Sequence, residues 1–180
     1  MIIRATTKLY NIARIRAEKN ISALSESLPG EWYANLISTG RAGELGILFF
    51  HIPTMITVVI LGKSIRKAVK ELPQRTESLL IRNGFKDLVP GFQLDTAPEF
   101  YSTNSRNILA NMNQLKFGIE WSLALSEELE ERDISRIEDN YLRHLVGGKV
   151  ANEKGGKRDY IKAKTILKEL LEKKAVANTH

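Results

Sequence analysis

Between Trp32 and Leu61 the chain carries three runs rich in apolar, β-branched and aromatic residues, with only short breaks between them. Trp32–Ser38 is followed by Thr39-Gly-Arg-Ala-Gly43, Glu44–Ile52 by Pro53-Thr54, and Met55–Leu61 completes the set. Strands joined by such short connections run antiparallel, because parallel neighbours need a crossover of a dozen or more residues. The last two runs are apolar at consecutive positions, which predicts burial on both faces under helices or a second copy. At about 17 residues, Leu45–Leu61 is at the low edge for a membrane span. His51 and Pro53 break it and Thr54 and Thr57 sit inside it, so it reads as two buried strands and no membrane segment is expected. The N-terminus lacks the apolar core and cleavage site of a secretory signal.

Ile2–Thr6 reads as an opening strand, and Phe100-Tyr101 as a further one. Leu9, Ile12 and Ala13 follow a helical spacing after a Thr6 or Thr7 cap. Gly62–Asn83 reads helical, with Pro73 predicting a kink or two helices and Gly84 a stop. Thr103, Asn104 or Ser105 caps the longest helical pattern. Its first apolar row is Ile108, Met112, Leu115, Ile119 and Leu123. A second row, Phe117, Trp121, Leu125 and Leu129, predicts a wide, well-buried face. Asp133 caps another helix, closed by Gly147-Gly148, and Lys157–Lys174 is a last amphipathic one. The expected fold class is α+β: an antiparallel sheet of about four or five strands, packed against a long central helix, with additional C-terminal helices. The expected division is a single domain over 1–148, then a basic linker and amphipathic helix over 149–180.

With 180 residues and 43% apolar content, the chain can bury a proper core. It has no cysteine, so neither disulfides nor thiolate sites are available, which suits a cytoplasmic location. The net charge is +6, but residues 146–180 hold nine Lys/Arg against four acids. The basic character therefore belongs to the tail, and nucleic-acid contact is expected there if anywhere. The tail residues for such contact are Lys157, Arg158, Lys162 and Lys164, with Tyr160 between them. The alternative is that the apolar face of this helix docks on the body or on a second copy.

The corner Thr103–Asn113 is the candidate ligand site. A helix start offers free backbone N–H groups and positive potential to an anion. Arg106 stands in the first turn, where a cation opposes the helix dipole unless an anion answers it. Asn104, Asn111 and Asn113 add donors and acceptors. Arg4, Thr6 and Lys8 converge on the same corner if the Phe100-Tyr101 strand pairs beside the first one. Otherwise the corner is a helix cap and Arg4 an exposed strand residue. Histidines 51, 144 and 180 lack metal-ligand spacing, so no metal is expected. The loop at 40–46 matches neither a dinucleotide nor a P-loop pattern, and no cofactor is implied. Trp32, Tyr33, Phe49, Phe50, Phe117 and Trp121 read as core, since they fall on apolar faces.

Three segments together resemble an uncharacterised bacterial domain family. They are Met1-Ile-Ile-Arg-Ala-Thr-Thr-Lys-Leu9, Gly30-Glu-Trp-Tyr-Ala-Asn-Leu36 and Thr103-Asn-Ser-Arg-Asn-Ile-Leu-Ala-Asn-Met-Asn-Gln-Leu115. The likeness spans about residues 1–120, and the chain departs from the pattern at Thr7, Glu31, Asn111 and Gln114. The resemblance implies a cytoplasmic α+β domain of unknown function. Its shared set would be Arg4, Thr6, Lys8, Trp32, Asn35, Asn104, Arg106 and Asn113. Where the pattern has Asp, Gln114 has no carboxylate to offer.

Two readings of function follow. The first is a non-enzymatic binding module, partnered by itself as a homo-oligomer, by another protein, or by nucleic acid through the tail. The second is an enzyme acting on a phosphorylated or nucleotide-like substrate at the Arg106 corner. The first is preferred, because no nucleophile, metal set or acid–base pair is recognisable.

Overall fold

The meander forms as its short connections require. Strands β2 (Glu31–Ser38), β3 (Leu45–Ile52) and β4 (Thr57–Leu61) pair antiparallel, with Tyr33 opposite Phe50 and Phe49 opposite Val58. This is a computed structural model, and it describes residues 1–19, 27–126, 129–147 and 160–177. Strand β1 (Ile2–Ala5) lies parallel to β2, and β5 (Glu99–Ser102) lies parallel to β1 on its other side. The sheet order is β4-β3-β2-β1-β5. The sheet is therefore mixed, where an antiparallel one was expected. The reason is chain length. The stretches from Ala5 to Glu31 and from Leu61 to Glu99 are long enough for crossovers, and they carry helices α1 (Thr7–Ala13) and α2 (Ile65–Arg82).

Helices cover both faces, as the consecutive apolar runs demand. On the Ile3–Trp32–Phe49–His51 face, Tyr10 of α1 meets Phe100 edge-on, and Phe92 of a 3-10 turn (Lys86–Phe92) stacks on His51. On the Arg4–Tyr33–Asn35 face lies α3 (Arg106–Leu125), which buries Ile108, Met112, Leu115, Ile119 and Leu123. Helix α4 (Glu131–Tyr141) closes the free edge of β4. Its buried Glu138 accepts the Val59 N–H at 2.9 Å and pairs with Arg75 and Arg82 of α2 at 3.2 and 2.7 Å.

Three further expectations give way. Helix α2 runs through Pro73 as one element, so the two-helix alternative gives way. Leu72, Thr76 and Leu79 are buried on either side of the proline, and that packing outweighs a local cost of about 3 kcal/mol. The chain after α4 does not continue as helix to Gly147. Leu145–Gly147 forms β6, which pairs with β7 (Tyr160–Lys162), Val146 opposite Ile161. The last helix, α5 (Ala163–Ala177), starts later than Lys157 and buries Ala163 and Leu167. The linker expected before it, with Lys157 and Arg158, lies outside the described residues.

The second apolar row of α3 is the largest departure. Phe117, Trp121 and Leu125 are 75%, 64% and 67% exposed. The sheet lies on one side of α3 only, so the helix buries the row turned to the strands. Phe117, Trp121 and Leu125 face outward, while Leu129, past the end of the helix, is half-buried against the core.

Candidate functional site

Strand alternation puts Glu31, Tyr33 and Asn35 on one face of β2, and parallel register sets Arg4 between Tyr33 and Tyr101. Arg4 is fully buried. Its Nε donates to Glu31 Oε2 at 2.5 Å and an Nη to Oε1 at 3.3 Å, while the other Nη donates to the Ser102 carbonyl at 3.1 Å. The guanidinium also lies 5.6 Å from the Tyr101 ring centre. This two-point pairing answers the positive charge within the fold, so Arg4 is a pin joining β1, β2 and β5.

Next to it a chain of polar contacts climbs from the sheet to α3. Thr6 Oγ1 donates to Asn35 Oδ1 at 3.2 Å, and Asn35 Nδ2 donates to Asn113 Oδ1 at 3.2 Å. The Tyr33 hydroxyl donates to Asn104 Oδ1 just before the helix. Burial pushes the Tyr33 phenol up to about 12 against the pull of Arg4, so it stays a neutral donor at physiological pH. On the other face, burial pushes Tyr10 up to about 12 as well. Its hydroxyl accepts from the Ala5 N–H at 3.1 Å and donates to the Tyr101 carbonyl at 2.8 Å. Ser105 caps α3, accepting the Ile108 N–H at 3.3 Å. No acid occupies the first turn, and Arg106 is exposed there.

The corner thus brings together Arg4, Thr6, Asn104 and Asn113 of the candidate residues. Asn111 is half-buried on α3. Lys8 is exposed on α1, which packs on the opposite face of the sheet from α3. Of the tail residues, Lys162 ends β7 and is exposed, and Lys164 is half-buried in the first turn of α5. Sequence reading passed over Glu31 and Tyr33 as parts of the site. The alternation of Glu31, Tyr33 and Asn35 through an otherwise apolar strand is the signal that marks them.

The model of one family, Domain of unknown function (DUF6933), matches residues 2–164. The chain belongs to this family. No curated protein and no solved structure matches it. The match extends past the corner through β7 and into the first turn of α5, so the family unit takes in the whole sheet, α3 and α4. In this DUF6933 chain the three resembling segments become β1, β2 and the α3 start. The Arg4–Glu31 pair and the Asn35–Asn113 bond tie them together.

The second feature is the outward row of α3. Phe117, Trp121 and Leu125 recur every four residues, so they stand in line on one side of the helix. At the C-terminal end of the row, the β2–β3 hairpin abuts α3. A Cβ on Gly40 would stand 2.5 Å from Ala124 Cβ, and Arg41 donates to the Ser126 carbonyl at 2.9 Å. Beside this junction a cleft of about 480 Å³ is lined by Thr39, Arg41, Leu45, Leu61, Lys63 and Leu129 among others. Among the described residues no helix is long and apolar enough to cross a membrane.

Proposed function

We propose that this domain is a non-enzymatic binding module whose contact surface is the outward face of α3. The exposed Phe117–Trp121–Leu125 row carries the reading. From the exposures above, the three side chains leave on the order of 400 Å² of contiguous apolar surface open, as much as the largest patch of a typical monomer. Large aromatic residues in such a patch are the anchors that binding surfaces favour. With no cysteine in the chain, the module is suited to a reducing cytoplasm. A photo-crosslinking residue placed at Phe117 in the living cell tests it. Adducts are expected there, and not from the same probe at Ile81, an exposed apolar position on α2. No adduct at Phe117 would rule the surface out.

A second reading keeps the Arg106 corner as a site for a phosphorylated or nucleotide-like ligand, bound or turned over. Its support is the Thr6–Asn35–Asn113 chain and the Tyr33–Asn104 bond, with Thr6 and Asn104 just beyond the ends of the parallel strands β1 and β5, where open sheets with helices on both faces hold ligands. Native mass spectrometry of the purified protein is expected, on this reading, to show a retained phosphate-bearing ligand that Arg106→Ala releases. A bare polypeptide mass counts against it. Polyanion contact through Lys157, Arg158, Lys162 and Lys164 predicts nucleic-acid binding that weakens steeply with salt and is reduced by Lys162→Glu.

A further inference from the structure

We infer that the partner covering the α3 row is a second copy of this chain, with the two α3 helices crossing antiparallel about Trp121. The inference rests on the reading of α3 as a contact surface.

The first support is charge. From Ala110 onward the outward positions Ala110, Gln114, Phe117, Trp121, Ala124 and Leu125 carry none, in a chain where 27% of residues are charged; the exposed Arg106 lies in the first turn of the helix, well before the row. The other two charged residues of the helix, Lys116 and Glu120, pair with each other at 3.6 Å. Glu120 also accepts the Ser38 N–H at 2.7 Å, which turns it toward the sheet. A nucleic acid or a strongly charged peptide finds nothing complementary on this face. An uncharged face meets its own copy without repulsion.

The second support is self-complementarity. In a two-fold interface residue i meets j and j meets i. An antiparallel crossing centred on Trp121 stacks the two indoles and sets Phe117 of each copy beside Leu125 of the other. Near the C-terminal end of the row, where Arg41 bonds Ser126, lies the cleft lined by Leu45, Leu61 and Leu129 together with Arg41, Glu44 and Lys63.

The third support is area. The three bulky side chains supply roughly half of the ~800 Å² that a stable interface takes from each partner. The surface flanking the row has to supply the remainder.

The test is sedimentation of the full chain from micromolar to submillimolar concentration. The expected species has twice the 20.3 kDa chain mass. Trp121→Lys and Phe117→Lys should each weaken it at least about 30-fold while leaving the circular dichroism unchanged, and Ile81→Lys should leave the dimer intact. A monomer throughout, or a dimer indifferent to both α3 variants, overturns the inference. The mass of the Phe117 crosslink separates the two claims. An adduct of twice the chain mass supports self-pairing. An adduct of any other mass overturns self-pairing while sparing the binding-module reading. No adduct removes both.

Discussion

Arg4 shows how much of a side chain's role is set by what the fold places beside it. In a short strand it reads as an exposed residue or an anion ligand. In the structure it is buried between two parallel neighbours and spent on Glu31 and Ser102. Removing one partner of a buried pair strands the other charge. Arg4→Ala is therefore expected to cost about 3–5 kcal/mol in urea unfolding. Arg4→Met combined with Glu31→Leu should recover most of that, because no charge is left unanswered. If the double variant loses as much as the two single ones together, the pair is not coupled.

His51 is the other residue whose chemistry the interior decides. Its Nε2–H donates to the Pro29 carbonyl at 2.8 Å, which leaves Nδ1 to accept from the Thr54 hydroxyl at 2.7 Å. Burial between Trp32 and Phe92 pushes its pKa down to about 4. Between about pH 6.5 and 4 the unfolded chain takes up a proton that the folded one refuses. The contribution is thus whole above pH 6.5 and fades as pH falls, by about 3 kcal/mol at pH 4. Urea midpoints measured across this range should fall less steeply for His51→Gln than for the parent chain. Equal slopes would show that His51 titrates normally.

At the scale of elements, local spacing predicts α3 well. The serine cap and the five-residue buried row are where the pattern puts them. What spacing does not show is the layer count. Two apolar rows on one helix look the same whether a second layer covers the outer one or not. The join between the β2–β3 hairpin and α3 is also invisible in sequence, since Gly40 reads as an ordinary turn residue. Its φ of 80° and its approach to Ala124 make it a packing contact. Gly40→Ala is expected to lose about 1–3 kcal/mol in thermal unfolding. Ala124→Gly in the same chain should return only the steric part. An unshifted Tm for Gly40→Ala would mean that the hairpin does not press on α3.

For the whole molecule, the question is whether α5 belongs to the body. Leu167 is fully buried, and Lys174 Nζ donates to the Asp87 carbonyl of the 3-10 turn at 2.5 Å. Leu167→Ala is expected to lower the stability of the entire chain by about 2–5 kcal/mol in one cooperative transition followed by Trp32 fluorescence and helical signal together. A variant in which the helical signal melts early and the Trp32 signal stays put would make α5 a separate appendage. The docked face also spends the apolar side of α5, which leaves Lys162, Lys168 and Lys173 turned to solvent.

Residue spacing alone determined the antiparallel meander, the long helix from Ser105, the row that this helix buries and the concentration of positive charge in the tail. Those are consequences of local periodicity and of connections too short to allow any other pairing. Tertiary structure decided the parallel entry of β1 between β2 and β5, the burial of Arg4 against Glu31 and the exposure of Trp121. Each of those depends on which distant segment lies alongside. A strand's neighbours and a helix's uncovered side are set by how many layers the whole chain can stack, and no window of sequence contains that number.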